Sequence, residues 1–202
     1  MNFSEKISPW HTALVVIDVQ RDFLCSAGII DLMGYDYHGN EVIIPPLRHF
    51  IERSRRFLKS IIFTRHTIYP YLRSPVVVEH YTRAKMIRPY DPQNEEFYKI
   101  APEPGDIIVP KHRYSAFIGT PLDAILRANE IKTLILTGVA TNVCVESTAR
   151  DGFMLDYHIV LPSDLTAGVN DQAKQMSLFN IATFFGEVVE SDRILSAWEG
   201  GS

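Results

Sequence analysis

Apolar residues fall along this chain in two alternating rhythms. Ala13-Leu14-Val15-Val16-Ile17 is an unbroken aliphatic run, the form a strand takes when both faces of a parallel sheet are covered. Ser60-Ile61-Ile62-Phe63-Thr64, Asp106-Ile107-Ile108-Val109, Thr133-Leu134-Ile135-Leu136-Thr137, His158-Ile159-Val160-Leu161 and Gly186-Glu187-Val188-Val189 repeat the pattern, which predicts six strands. Between the first two, Ile43, Ile44, Leu47, Phe50, Ile51, Phe57 and Leu58 recur at helical spacing and mark one face, with Pro45 and Pro46 tolerated in a first turn. Thr120-Pro121-Leu122-Asp123 supplies an N-cap, a proline at the first helical position and a first-turn acid ahead of Ile125 and Leu126, so a second helix starts there. The segments after Thr141 and Asn170 predict two more. The order β-α-β, a long connection, then β-α-β-α-β-α-β belongs to the α/β class, with helices on both faces of one sheet in three layers.

The long connection, roughly Ile68 to Pro104, holds six of the twelve prolines and reads as irregular. Connections of this length inside compact domains are usually functional, which assigns it to lid or substrate-recognition duty, with a plain surface excursion or subunit contact as the alternative. The 202 residues, 46% hydrophobic and 22% charged, suit one globular domain over residues 1–198, with 199–202 as a flexible tail. A formal charge of -4 and the lack of any basic run with interleaved aromatics exclude a nucleic-acid surface. No signal-peptide pattern and no apolar run of about 18 residues is present, so the expectation is a cytoplasmic protein with no membrane partner. Two cysteines and seven scattered histidines offer neither a disulfide framework nor zinc-finger spacing.

In a doubly wound sheet, ligands bind beyond the carboxyl ends of the strands, so the polar residues that follow each apolar run carry the interest. Asp18 follows the first run, Lys111 the third, and Cys144 opens the helix after the fourth. A carboxylate beside five aliphatic residues needs a partner or a raised pKa; on its own it reads equally well as a helix cap or a structural ion pair. Lys111 alone is an ordinary loop lysine, and Cys144 alone is more often a small buried hydrophobe. A thiol in a helix's first turn, however, lies near backbone N–H donors, and a neighbouring ammonium favours thiolate further. Together the three supply a nucleophile, a base and a cation, enough for attack on an amide-like carbonyl.

The segments "ALVVIDVQRDF", "PKHRYSAF" and "TGVATNVCVESTARDG" resemble, in order and placement, the isochorismatase-like cysteine hydrolases. The resemblance covers most of the chain outside the long connection. It implies a parallel sheet of order 3-2-1-4-5-6, a catalytic triad at Asp18, Lys111 and Cys144, and a homo-oligomer, dimer or tetramer, acting on a small molecule. It also implies a non-proline cis peptide at Val139–Ala140, which would aim the Ala140 and Cys144 N–H groups at a developing oxyanion.

Nicotinamidases of this family carry an Asp-x-His motif after the second strand as part of a metal site. Here that place reads Thr64-Arg65-His66, while Asp36-Tyr37-His38 follows the first strand and reads as a turn, so neither metal nor cofactor is expected. Isochorismatase itself cleaves a vinyl ether without a thiol, so Cys144 favours C–N cleavage. "PGDIIVPKHRYSAFIGTPLDAILR", "GVATNVCVESTARDGFMLDY", "LFNIATFFGEV" and "GIIDLMGYD" are similar to the ureidoacrylate amidohydrolases. Phe23, His66, Tyr114 and Phe117 are the candidate pocket walls, and Arg65, Arg83 or Arg88 the candidate partner of a substrate carboxylate. The resulting expectation is a ureido or carbamoyl amidohydrolase working through a thioester. The alternatives are a family amidase for N-carbamoyl amino acids, biuret-like compounds, nicotinamide-like or simple amides, and a relative that binds or senses redox state without turnover.

Overall fold

In a computed structural model that describes residues 1–200, the predicted strands are β1 (Thr12–Ile17), β2 (Ser60–His66), β3 (Ile107–Lys111), β4 (Thr133–Val139), β5 (His158–Pro162) and β7 (Glu187–Val189). They form a parallel sheet in the order β3-β2-β1-β4-β5-β7. A seventh strand, β6 (Thr166–Ala167), is two residues long and pairs with the end of β4 at Gly138 and Val139. Its brevity leaves no periodicity to read, which is why the pattern predicts six strands.

Helices longer than one turn are α1 (Ile44–Ser54), α2 (Pro75–Arg83), α3 (Leu122–Ala128), α4 (Glu146–Met154), α5 (Asp171–Phe184) and α6 (Ser191–Glu199). Every residue of β1 and β4 is buried. The pleat of β1 sends Ala13, Val15 and Ile17 to the face covered by α3, α4 and α5, while Leu14 and Val16 meet α1 and α6 on the other. The central strands therefore have no solvated side and must be apolar throughout. β3 is an edge strand, with Ile108 exposed and Val109 and Lys111 buried. α3 starts one residue later than expected: Thr120 Oγ1 still accepts the Leu122 N–H, at 3.2 Å, and Pro121 sits at the cap.

The connection between β2 and β3 is not wholly irregular. Ser74 caps α2 by accepting the Val77 N–H at 3.3 Å, and Pro75 takes the first helical position. No residue of α2 is buried; Val77 and Tyr81 border cavities rather than the core. At the other end of the chain, Glu199 closes α6 and pairs with Arg53, so the helix runs one residue into the segment expected as a tail. Gly201 and Ser202 lie outside the described residues.

Candidate active site

Three chain segments meet at the carboxyl end of β1. Asp18, the first residue beyond that strand, has a left-handed backbone with φ of 52°, which aspartate tolerates better than most residues. Its N–H donates to Thr64 Oγ1 at 3.0 Å, and the Thr64 hydroxyl donates to Asp18 Oδ1 at 2.6 Å. Thr64 on β2 thus holds both ends of the residue. On the other flank Gly138 closes the gap between β4 and β1: its φ is 103°, and a Cβ there would lie 2.0 Å from the Ile17 carbonyl oxygen.

Lys111 ends β3, two strands away, and its side chain is as fully buried as that of Asp18. Its Nζ lies 2.6 Å from Asp18 Oδ2, donates to the carbonyls of Arg113 at 2.9 Å and Tyr114 at 3.1 Å, and stands 3.5 Å from Cys144 Sγ. Burial disfavours the ammonium, but the Asp18 charge and the hydrogen bonds to Asp18 and Cys144 outweigh it and raise its pKa. The cation is locked in place by four oxygen and sulfur neighbours.

Beyond β4 the Val139–Ala140 peptide is cis. A wide turn, Thr141–Val145, then leads into α4, with the Val143 and Val145 N–H groups both donating to the Ala140 carbonyl, at 3.0 and 3.2 Å. Thr148 fixes the turn by donating to the Cys144 carbonyl at 2.7 Å while accepting the Ala116 N–H at 3.0 Å. Position at the helix start was expected to favour thiolate, and the structure reverses that. Burial pushes the Cys144 thiol up to about 12; Lys111 pulls it down, but the Asp18 charge and its hydrogen bond with the thiol reinforce the burial. The resting trio is a thiol, a carboxylate and an ammonium.

Cys144 opens onto a cavity of about 430 Å³, within the range of small-molecule sites. Ala140, Cys144, Phe23, His66 and Tyr114 line it, the last three as expected from the sequence. Phe117 does not. Beyond Tyr114 the chain turns into the core beneath α4, where the Phe117 ring stacks on Tyr157 at 5.9 Å and fills space left by Gly152. His66 is held at about 4, chiefly by desolvation and then by the Lys111 ammonium, so it is neutral near pH 7.

Of the candidate arginines, Arg65 lies over the Phe97 ring at 4.8 Å and Arg83 points to His80, and neither lines the cavity. Arg88 does, but it pairs with Asp22 and donates to the Ala27 carbonyl at 2.8 Å. The connection between β2 and β3 supplies much of the wall, including Arg73, Tyr81, Met86, Tyr90 and Glu95. It is anchored by Gln20, whose side chain donates to the His66 and Glu95 carbonyls and accepts the His66 N–H at 2.7 Å. Gln20, Thr64, Arg73 and Tyr81 were not singled out from sequence. The signal for Gln20 and Thr64 was their position at strand ends beside Asp18. Arg73 and Tyr81 carried no comparable one.

At the position of the nicotinamidase metal motif, the Thr64 hydroxyl is committed to Asp18. Asp36 accepts the His38 N–H at 2.9 Å within a local turn. Among the described residues no three His, Cys, Asp or Glu side chains gather as a metal site.

The family model of the isochorismatase domain matches residues 12–193, which include all three buried groups. The chain belongs to the isochorismatase family. Among its relatives is the ureidoacrylate amidohydrolase RutB of Enterobacter sp. (strain 638), 36% identical over 202 residues, covering 90% of this chain and 86% of the relative. The isochorismatase-family fold is shared with a cysteine hydrolase from Pseudomonas syringae pv. phaseolicola 1448A at a TM-score of 0.84 and 28% identity, covering 98% of this chain and 96% of that one. The N-carbamoylsarcosine amidase from Thermoplasma acidophilum superposes at a TM-score of 0.71 and 29% identity, covering 90% and 96%.

Proposed function

We propose that this isochorismatase-family protein is a cysteine-dependent amidohydrolase that cleaves a small ureido or carbamoyl substrate of the ureidoacrylate type. At the level of reaction class it is a hydrolase of carbon–nitrogen bonds other than peptide bonds, as the relatives indicate. The observation that carries the finer reading is Lys111 Nζ, 2.6 Å from Asp18 Oδ2 and 3.5 Å from Cys144 Sγ at the base of a small-molecule cavity.

Because the resting thiol is protonated, attack needs a base at the moment of reaction. Asp18 takes the Sγ proton as sulfur bonds to the substrate carbonyl carbon, and the N–H groups of Ala140 and Cys144 receive the negative oxygen. The C–N bond then breaks and Asp18 passes its proton to the leaving nitrogen, leaving an acyl thioester on Cys144. Water adds to that carbonyl with Asp18 again accepting a proton; the C–S bond breaks and the proton returns to sulfur. Lys111 stays paired with Asp18 between these steps. Phe23, His66 and Tyr114 shape the substrate end.

The test is ammonia release from a panel of ureido acids, N-carbamoyl amino acids, biuret and nicotinamide, with wild type and Cys144→Ser, together with mass spectrometry of acid-quenched enzyme. Turnover of a ureido acid with a covalent adduct on Cys144 supports the reading; turnover of nicotinamide alone overturns it. A homo-oligomer is part of this reading, supported by the exposed apolar side chains Phe153, Met154, Phe179 and Phe184 on α4 and α5. Light scattering of the purified protein measures it.

A further inference from the structure

The cavity above Cys144 is lined by acids, phenols and two arginines. Its acids each have a partner: Asp22 pairs with Arg88 and accepts the Ile29 N–H, Asp91 accepts the Gln93 N–H, and Glu95 accepts the Ile68 N–H. Tyr81 and Tyr114 share a hydrogen bond in the same cavity, and Arg73 lines it as well. Burial first, then the Tyr81 oxygen and Cys144, raise the pKa of Tyr114; Tyr81 is likewise raised by burial, with Arg113 and Arg73 among the charges it feels. Apart from Asp18 at its base, the reacting cysteine shares the cavity with two phenols and a guanidinium that no carboxylate pairs.

Arg73 differs from the other cavity arginine in having nothing to hold. Among the described residues it makes no ion pair and no hydrogen bond, and its Nε is buried without an acceptor. A buried donor on a cation costs free energy until an acceptor arrives, and a guanidinium presents paired donors that match a carboxylate. Arg88 is excluded from this role by Asp22, and Arg65 and Arg83 by their position. Arg73 also borders a second, small cavity with His66, Tyr81 and Arg113, between the connection and the ends of β2 and β3.

We propose that Arg73 is the specificity-determining residue of this site, binding an anionic group carried a few bonds from the scissile carbonyl and so selecting ureido and carbamoyl acids over neutral amides. The proposal deepens the amidohydrolase reading and rests on it for the identity of the reaction, though not for the presence of an anion subsite. It assigns the discrimination to the connection between β2 and β3 rather than to the strand ends that carry the chemistry.

Two measurements separate the proposal from that reading. In steady-state kinetics with 3-ureidopropionate and its neutral methylamide, Arg73→Gln raises KM for the acid about 10- to 100-fold, the range expected for one lost charge-assisted contact, with kcat little changed. The effect on the methylamide is much smaller, and Arg73→Lys recovers part of the loss. Equal effects on the two compounds, or none on the acid, overturn it. The second measurement needs no turnover: Cys144 is alkylated with iodoacetate or iodoacetamide, nearly equal in size and different in charge, and its peptide is followed by mass spectrometry. Arg73→Gln lowers the iodoacetate-to-iodoacetamide rate ratio about tenfold if the guanidinium receives the anion. An unchanged ratio sinks the anion subsite whatever the enzyme hydrolyses. A lowered ratio in a protein that turns over neither ureido compound keeps the subsite and rejects the ureido reaction.

Discussion

Thr64 holds Asp18 from both sides, its hydroxyl oxygen receiving the aspartate N–H at 3.0 Å and its hydroxyl hydrogen going to Oδ1 at 2.6 Å. Only the second oxygen, Oδ2, is left to face Lys111 at 2.6 Å, so a β2 hydroxyl decides which carboxylate oxygen works with the cation and the thiol.

Thr64→Val keeps the shape and removes the hydroxyl, leaving a buried N–H and a carboxylate oxygen without a partner. Unfolding free energy falls by about 1–3 kcal/mol in urea titration, and kcat drops with it. Thr64→Ser restores both. Loss of stability without any loss of kcat would show that the hydroxyl serves the fold alone.

Lys111→Met replaces a fully buried ammonium with an apolar stem of similar length. Asp18 is then charged, buried and uncompensated, which costs about 3–5 kcal/mol. Lys111→Arg does not rescue, because a planar fork cannot satisfy two carbonyls, a carboxylate and a sulfur placed around one nitrogen. The chemical midpoint and the ammonia assay read the two effects separately.

The thiol of Cys144, raised to about 12, is protonated throughout the neutral range. Its alkylation by iodoacetamide in the absence of substrate is therefore slow at pH 7 and climbs with pH, with no plateau between 8 and about 10 where an ordinary cysteine levels off. Since the folded pKa lies above the ordinary value of 9.0, this group's contribution to stability is complete below pH 9 and is lost between about 9 and about 12. Cys144→Ala abolishes turnover and removes that alkaline loss. A plateau near pH 7 would falsify the protonated resting state.

His66 carries the opposite sign. Its pKa is depressed from 6.5 to about 4, so its contribution to stability is present above pH 6.5 and is lost as the pH falls from there through about 4. His66→Gln flattens that limb of the stability profile, measured as urea midpoints at pH 7, 5.5 and 4. The pH dependence of activity shows no inflection near 6.5 that the same substitution removes.

The sheet was legible because it is covered on both faces. A strand such as β1, with all six residues buried, admits no polar position and stands out as an aliphatic run, and the order of runs and helical stretches then leaves few topologies. Asp18 and Lys111 were legible for the same reason, as the first polar groups at the ends of those runs, and Cys144 as the thiol that opens the helix after the fourth. β6 escaped notice because two residues carry no period, and α2 because none of its residues is buried.

By itself, the order of residues determined the layers, the succession of strands and helices along the chain and the three candidate groups at strand ends, since burial and strand termini leave a periodic trace. The order of strands within the sheet came from the family resemblance. Tertiary structure alone decided that the thiol is held protonated, that Thr64 and Gln20 fix the aspartate and the cavity wall, and that Phe117 is core whereas Arg73 faces the cavity unpaired. Charge state and side-chain partnership depend on desolvation and on neighbours from distant segments, such as Lys111 reaching Asp18 from two strands away, and neither leaves a period in the chain.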